Sequence, residues 1–212
     1  MERIALKDEA WVDHDPAWLA PAEADAMLAA LLEAMTWEHR DIVVFGRPIP
    51  QPRLIAWAGD LPYRYSGQTL EPRAAPPVLS ALQARIEEAV GARFNHVLLN
   101  RYRDGRDHMA RHADNEPELG RCPLIAALSL GVPRRFVLER KHGRTKRTLM
   151  LAHGSLMVMG GTCQHTWRHA VPRMATVTGE RVNLTLRLLH GPPGWRTPRP
   201  ERAPAAPREA GP

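Results

Sequence analysis

Apolar residues recur at helical spacing in two stretches of this chain. Between residues 27 and 35 they occupy positions i, i+1, i+4, i+5 and i+8, and a proline at position 21 precedes them, as is common at a helix start. A similar stripe runs from Val78 to Val90, with Pro77 before it and Gly91 as a stop. The pattern predicts one helix that begins at Pro21 and a second that covers residues 77–90.

From residue 94 onward the apolar pattern becomes that of β-strands, and glycine-rich turns separate short segments. The predicted strands span 94–102, 124–130, 135–140, 147–151, 155–159, 166–171 and 182–189. Many short strands joined by such turns favour a sandwich or a barrel. We therefore predict a mainly β protein with flanking helices, of the α+β class.

The same pattern divides the 212 residues into one domain with two extensions. Residues 1–18 are predicted to be an irregular lead-in, and residues 41–75 to form short strands and loops beside the core. Residues 191–212 contain seven prolines and few apolar side chains, which predicts a disordered tail. The domain itself is expected to span residues 19–190.

Composition is that of an ordinary globular protein. The chain is 44% hydrophobic and 25% charged, and no apolar run approaches the ~20 residues that cross a bilayer. Its N-terminus has mixed charge and no apolar export segment. Cys122 and Cys163 lie too far apart for a CxxC motif. We expect a cytoplasmic, monomeric protein with reduced thiols and no membrane contact.

Positive charge is concentrated in one segment. Residues 134–147 contain seven lysines and arginines against a single acid, Glu139, so this segment alone equals the net charge of +6. Such a run is typical of a solvated hairpin, but it also suits contact with a phosphate backbone. The charge by itself leaves both interpretations open.

His112 and Asp114 are separated by one residue, which on an extended chain directs both side chains to the same face. Two imidazoles and one carboxylate occupy one side of a metal, the ligand set of non-haem Fe(II) oxygenases. An H-x-D pair alone is equally compatible with a polar surface loop, and spacing does not choose the third ligand. The candidates for that ligand are His142, His153, His165 and His169.

The segment 181–188 alternates strictly between polar and apolar residues. Its polar face carries Arg181, Asn183, Thr185 and Arg187. A wet face of an amphipathic strand explains this pattern, but two guanidinium groups also suit a carboxylate, which they bind through paired hydrogen bonds. Asn100 and Tyr102 show the same spacing on an earlier predicted strand. If these strands are neighbours, one cavity would hold a metal and an anion site.

Several ordered motifs resemble those of the AlkB family of Fe(II)- and 2-oxoglutarate-dependent nucleic-acid demethylases. The matching stretches are residues 94–102, Asp104-Gly105, His112-Ala113-Asp114-Asn115-Glu116, residues 151–156, His169-Ala170-Val171-Pro172 and residues 181–187. Together they span most of residues 40–190. The resemblance implies a double-stranded β-helix, or jelly-roll, core over residues 94–190 and a nucleotide-recognition lid over residues 41–75.

The resemblance also implies a role for each of these residues. It selects His169 as the third iron ligand beside His112 and Asp114, and it makes His153 a structural turn residue. The implied co-substrates are 2-oxoglutarate and O2. The 2-oxoglutarate site is implied to consist of Asn100, Tyr102, Arg181, Asn183, Thr185 and Arg187, with Arg181 on the distal carboxylate.

The implied substrate is DNA that carries alkylated bases such as 1-methyladenine and 3-methylcytosine, with RNA as an alternative. Val44-Phe45-Gly46 resembles a finger that replaces a flipped base, although the end of a buried strand has the same pattern. The basic hairpin becomes a grip on the duplex backbone. Residues implied to contact substrate are Phe45, Arg53, Trp57, Tyr65, Ser66 and Glu116, with Trp57 as the base-stacking aromatic.

Two other functions are compatible with the same sequence. One is a related dioxygenase that modifies RNA, a protein side chain or a small molecule, and the charge at residues 134–147 argues against the last two. The other is a nucleic-acid-binding module without catalysis, against which the complete set His112, Asp114 and His169 argues.

Overall fold

The computed structural model describes residues 1–44, 47–65 and 67–191. The helices in this part are α1 Pro21–Ala34, α2 Pro77–Val90 and α3 Cys163–Thr166, with a short 3₁₀ helix at Pro117–Leu119. The strands are β1 Glu2–Ala5, β2 Ala10–Asp15, β3 Asp41–Val44, β4 Arg47–Pro50, β5 Leu54–Gly59, β6 Tyr63–Tyr65, β7 Gln68–Leu70, β8 His96–Tyr102, β9 Met109–His112, β10 Ile125–Gly131, β11 Arg134–Arg140, β12 Lys146–Leu151, β13 Ser155–Gly161, β14 Trp167–Val171 and β15 Arg181–Arg187.

Two antiparallel sheets form the body of the protein. The larger has seven strands in the order β1-β2-β13-β10-β15-β8-β5, and the smaller has four in the order β12-β11-β14-β9. Side chains of both sheets, including Ile125 and Met157 of the larger and Leu138 and Trp167 of the smaller, form one buried cluster between them. This sandwich confirms the predicted jelly-roll core.

The seven-stranded sheet is covered on both faces. On the outer face, Val182, Leu184 and Leu186 of β15 are fully buried in a cluster that also contains Leu31 of α1 and Leu82 of α2. Because successive side chains of a strand point to opposite faces, the polar residues of β15 are directed to the interior between the sheets. The helices therefore fix the orientation of the strand that carries them.

Both helices begin and end close to where the apolar stripes predict. α1 begins at Pro21, and α2 covers Pro77–Val90 with Gly91 at its C-cap. The φ angle of Gly91 is 69°, in the left-handed region that lets a helix end without steric cost at the Cβ position. In the described part of the chain, no helix is long and apolar enough to cross a bilayer.

The predicted irregular lead-in is wrong. Residues 1–18 contain β1 and β2, and β2 pairs with β13 in the larger sheet. Val12 is fully buried there, and Trp11 packs so closely on Gly160 that a Cβ at this glycine would lie 2.1 Å from the indole. The partner strand lies about 145 positions away, so the local pattern contains no sign of the pairing.

Three further differences concern residues around the site. Residues 54–59, predicted to lie beside the core, form β5 at the edge of the larger sheet, where they pair with β8 and are mostly buried. The strand β9 was not predicted, and α3 occupies the start of the predicted strand 166–171. Phe45, Ser66 and the predicted tail from residue 192 lie outside the described residues.

Replacement of Val12 by Ala tests whether the N-terminal strands are part of the core. Because the side chain is fully buried, the loss of two methyl groups and the cavity left behind should lower the free energy of unfolding by about 2 kcal/mol. Urea denaturation measures the change. The exposed Glu2→Ala should leave stability within ~0.5 kcal/mol, and equal stability of the two variants would contradict the assignment of β2 to the core.

Candidate metal centre

Two histidines and one aspartate converge between the sheets. The potential ligand atoms of His112, Asp114 and His169 all lie within 4.8 Å of one another. His112 ends β9 and lies directly opposite His169 of β14, so the ladder between these strands brings the two imidazoles together. Their ring centroids are 4.2 Å apart. The predicted ligand residues therefore meet in one place.

The other candidate histidines lie elsewhere. His153 accepts a hydrogen bond from the backbone N–H of Gly131 at 2.8 Å, as suits a structural turn residue. His142 and His165 are exposed, and none of the three belongs to the ligand cluster found among the described residues. Geometry thus selects His169, as the motif resemblance implies.

The Asp114 carboxylate is buried in an ion pair with Arg187. The distance between Arg187 Nη2 and Asp114 Oδ2 is 2.9 Å, and both side chains are less than 5% exposed. Burial alone would raise the pKa of Asp114, but the charge of Arg187 and its hydrogen bond lower this pKa below its ordinary value. The carboxylate is therefore ionised and able to bind a cation.

The two imidazoles are held in the neutral form. Burial, with a smaller contribution from the neighbouring His112, lowers the pKa of His169 to about 3. Burial also lowers the pKa of His112, although Asp114 opposes this shift. Neutral imidazoles and an ionised carboxylate are the protonation states that bind a metal, and this set of two nitrogens and one oxygen suits Fe(II).

Five of the six predicted anion-binding residues line the same cavity, and the sixth, Arg181, is hydrogen-bonded to Asn183 in its wall. Asn100 and Tyr102 of β8 pair with Asn183 and Arg181 of β15, because the two strands are neighbours in the larger sheet. The lining of the cavity beside the metal ligands includes Asn100, Tyr102, Asn183, Thr185 and Arg187. The alternative of a solvent-facing polar strand is wrong, since this face of β15 points to the interior.

Arg181 is a buried cation without a carboxylate partner among the described residues. It is fully buried, and its Nη2 donates to Ser129 Oγ and Asn183 Oδ1 at 2.8 Å each. Its Nε and Nη1 have no hydrogen-bond partner in the described part of the protein. Burial lowers the pKa of Arg181 to about 10. Because an unpaired buried charge is costly, these free donors fit an anionic ligand such as a carboxylate.

Arg53 is buried behind a residue of the cavity wall, Asn100, rather than exposed on a surface. It is 4% exposed, and its Nε donates to Asn100 Oδ1 at 2.7 Å. A longer contact of 3.4 Å joins its Nη1 to the carbonyl of His108. Arg53 therefore orients the amide of a cavity residue, a position that its place in the sequence does not indicate.

The prediction of Trp57 as a base-stacking residue is wrong. Trp57 is a residue of β5, and its side chain is 3% exposed in a buried cluster. Its indole N–H donates to the carbonyl of Glu71 at 2.8 Å. The guanidinium of Arg73 lies 3.5 Å from the ring centroid. Since a buried ring already in contact with a cation offers no free face, a nucleobase cannot stack on it in this arrangement.

Two of the four remaining predicted substrate residues, Glu116 and Tyr65, lie within the described part of the chain. Glu116 is half-buried two residues beyond Asp114, and burial together with the charge of Asp114 raises its pKa. Tyr65 is the last residue of β6. Phe45 and Ser66 lie outside the described residues.

The basic segment 134–147 divides into buried and exposed cations. Arg134 is fully buried, and its guanidinium donates to the carbonyls of Asp104, Asp107 and Pro172. Arg140 forms a two-point ion pair with Asp8. Several cations of this segment are therefore engaged within the protein, and the predicted grip on a phosphate backbone depends on those that remain exposed. The exposed cations are Arg135, Arg144, Lys146 and Arg147.

Comparison with protein families agrees with this geometry. The model of the 2OG-Fe(II) oxygenase superfamily matches residues 12–187. That superfamily uses Fe(II), 2-oxoglutarate and O2. The His-Asp-His cluster suits the metal, and the free donors of Arg181 suit a carboxylate of the co-substrate. The matched range begins within β2, in agreement with the place of this strand in the core.

Individual relatives indicate which family within this superfamily the chain resembles. Alpha-ketoglutarate-dependent dioxygenase alkB homolog 3 of Rattus norvegicus is 40% identical over 188 residues, which cover 84% of this chain and 64% of that protein. The chain thus spans slightly less than two thirds of this relative. DNA oxidative demethylase ALKBH2 of Mus musculus is 40% identical over 181 residues, 79% of this chain and 76% of the relative.

A solved structure, that of OsALKBH1, shares the fold. Its TM-score is 0.61 at 15% sequence identity, and the match covers 87% of this chain and 100% of that one. The cluster of ligands, the buried anion site and the similarity along most of the sequence lead to one assignment: the chain belongs to the AlkB family of 2OG-Fe(II) oxygenases.

Proposed function

We propose that this protein repairs DNA by oxidative demethylation of N-alkylated bases of the 1-methyladenine and 3-methylcytosine type. One O2 and one 2-oxoglutarate are consumed for each methyl group. One oxygen atom enters succinate as CO2 is lost, and the other enters the methyl group, which leaves as formaldehyde. The observation that carries the proposal is one cavity lined by the His-Asp-His cluster and by Asn183. The side chain of Asn183 accepts a hydrogen bond from the buried guanidinium of Arg181, which keeps two donor atoms without a partner in the described part of the protein.

Bound Fe(II) would supply the redox chemistry, namely the activation of O2. The protein's own residues supply ligation and orientation. His112, Asp114 and His169 would hold the metal from one side. Arg181 would bind the distal carboxylate of 2-oxoglutarate through its free donors, and Arg187 keeps Asp114 ionised. The apolar walls on both sides of the cavity, such as Phe136 stacked on His169, limit the entry of water.

Nucleic acid as substrate is supported by the names of relatives and by the charge of the surface. The relatives include proteins named DNA oxidative demethylase. The exposed cations of residues 135–147 suit a phosphate backbone. A methylated base within a duplex must leave the stack to enter the cavity, which costs a few kcal/mol and least where the lesion already spoils pairing. The finger at Val44-Phe45-Gly46 is proposed to fill the gap.

Formaldehyde release decides among substrates. Methylated single-stranded DNA, duplex DNA and RNA of one sequence should be incubated side by side with Fe(II) and 2-oxoglutarate. Our proposal expects release from DNA. Release from RNA alone would favour the RNA alternative, and 2-oxoglutarate decarboxylation without release from any nucleic acid would favour a protein or small-molecule substrate. Absence of decarboxylation under all conditions would favour a non-catalytic binding module.

Loss of a residue that only orients a metal ligand typically costs about 10- to 100-fold in metal affinity or activity. Asp114 is a proposed ligand itself, so its replacement by Ala should reduce demethylation more than about 100-fold. The change also leaves Arg187 buried without its partner, which is itself destabilising. Asp114→Asn keeps the size and a neutral acceptor and should lose activity to a similar extent. Thermal melting separates inactivity from unfolding, and near-wild-type turnover by a folded variant would remove Asp114 from the ligand set.

Replacement of Arg181 by Met should raise the KM for 2-oxoglutarate about 10- to 100-fold, because hydrogen bonds to a charged group contribute about 1.5–3 kcal/mol each. Duplex affinity, measured by fluorescence anisotropy, should stay unchanged. Arg101→Met is the matched control, since Arg101 lies on β8 and pairs with Glu180 at the surface. If both variants raise the KM equally, Arg181 does not bind the co-substrate.

Replacement of Arg144, Lys146 and Arg147 by Gln tests the hairpin as a phosphate grip. Each phosphate contact contributes about 0.9 to the slope of log affinity against log salt. The triple variant should therefore lower the slope by up to about 3 on duplex DNA, with kcat unchanged. Arg140→Gln should have little effect on the slope because Arg140 is paired with Asp8. An unchanged slope in the triple variant would place the duplex elsewhere.

A further inference from the structure

The main chain at Asp114 lies beyond the last hydrogen bonds of its strand. β9 ends at His112, which is held opposite His169 by the ladder, and Asp114 follows two residues later. Among the described residues, the backbone N–H of Asp114 has one recorded partner, the side-chain oxygen Oε1 of Gln164 at 2.9 Å. A ligand residue is thus anchored by a side chain rather than by its sheet.

Gln164 is well placed to serve as this anchor. It is fully buried in α3, the short helix directly before β14, which carries His169. Its Nε2 contacts Met159 Sδ at 3.5 Å, and its own carbonyl accepts a hydrogen bond from Lys141 Nζ at 2.9 Å. Both the side chain and the main chain of Gln164 are therefore fixed.

We propose that Gln164 is a positioning residue for the metal-binding carboxylate of Asp114. Arg187 binds one carboxylate oxygen, Oδ2, while Oδ1 is directed toward His112 at 3.6 Å. With one oxygen engaged, the direction of the other depends on where the main chain holds the residue. Gln164 sets that position through the Asp114 N–H. It also sets the separation between the two segments that carry Asp114 and His169.

This inference goes beyond the proposed function and rests on the metal assignment alone. A buried amide in apolar surroundings is costly unless it makes hydrogen bonds. The shorter of the two hydrogen bonds of the Gln164 side chain joins it to the backbone N–H of Asp114, a residue of the metal-ligand set. Outer partners that orient metal ligands typically contribute 10- to 100-fold to metal affinity. A residue with only a packing role would contribute nothing of this kind once a side chain of equal volume replaced it.

The test uses Gln164→Met in the full-length chain, because Met has a similar volume and lacks the acceptor oxygen. Binding of Mn²⁺ alone, followed by the EPR signal of the free ion, should be about tenfold weaker than in the wild type. In the metal-free protein, hydrogen exchange at the Asp114 amide should become faster. The amide of Ala170 in β14 should keep its protection if the sheet is intact.

Gln83→Met is the matched control. Gln83 lies on α2, where its side chain donates to the carbonyl of Phe94 at 2.7 Å, far along the chain from the metal ligands. Its loss should lower thermal stability and leave Mn²⁺ affinity unchanged. Equal weakening of Mn²⁺ binding by Gln83→Met and Gln164→Met would show a general effect of stability and would overturn the proposal.

Gln164→Glu restores an acceptor oxygen at the same reach and should return exchange at Asp114 to the wild-type rate. The proposal is overturned if Gln164→Met binds Mn²⁺ as tightly as the wild type, or if binding weakens while the Asp114 amide stays protected. Should Gln164→Met fail to fold, Gln164→Glu decides: a protected Asp114 amide supports the proposal and an unprotected one overturns it. None of these measurements requires turnover, so a failure of the proposed demethylation would remain distinguishable.

Discussion

The buried ion pair between Arg187 and Asp114 is the interaction on which the candidate site depends. It joins the end of β15 in the larger sheet to the loop that leaves β9 in the smaller one. Both groups lost their hydration on burial, and the removal of either partner would leave the other as an isolated charge. The pair therefore holds the two sheets in one relative position at the metal centre, and it ties the strand of the anion site to a metal ligand.

This arrangement follows from the period of two along β15. Three leucine and valine side chains on one face pack under the helices, so the opposite face must place its polar residues inside the protein. A shift of one residue would exchange the two faces and bury the apolar set in the metal cavity. Packing of α1 and α2 against the outer face thus keeps the register, and the register keeps Arg181 and Arg187 on the interior face of β15.

The sequence was most informative where local chemistry determines structure, and least where partners are distant. Pro77 and Gly91 mark the ends of α2 through their own backbone preferences, so its bounds could be read directly. β2 owes its position to β13, far along the chain, and its few apolar residues do not reveal this partner. Likewise a count of charges cannot show that Arg134 points inward to three carbonyls while Arg144 is exposed.

In the candidate site too, features that depend on local sequence were predicted, and features that depend on distant partners were not. The alternation of β15 predicted which residues share the cavity, but spacing alone left several histidines as the third ligand, and only the motif order selected His169. Trp57 was misjudged because an aromatic residue in a lid and one in a core have the same local pattern. Gln164 had no motif to mark it, since its contact with the Asp114 N–H joins residues 50 positions apart.

Charge within the cavity is distributed unevenly, and this difference bears on the kind of ligand that fits. At the metal end, the guanidinium of Arg187 is neutralised by Asp114. Behind Tyr102 of the cavity wall, Arg134 and Arg181 lie 5.4 and 5.3 Å from the ring centroid of that residue. Neither forms an ion pair with a carboxylate in the described part of the chain. Both terminal nitrogens of Arg134 donate to main-chain carbonyls, whereas Nη1 and Nε of Arg181 have no partner in the described part of the protein. A ligand with one carboxylate at each end would bind the metal and relieve the unpaired charge of Arg181 together, whereas a monocarboxylate would do only one of these. The cavity therefore favours a dicarboxylate on electrostatic grounds, independently of the family to which the chain belongs.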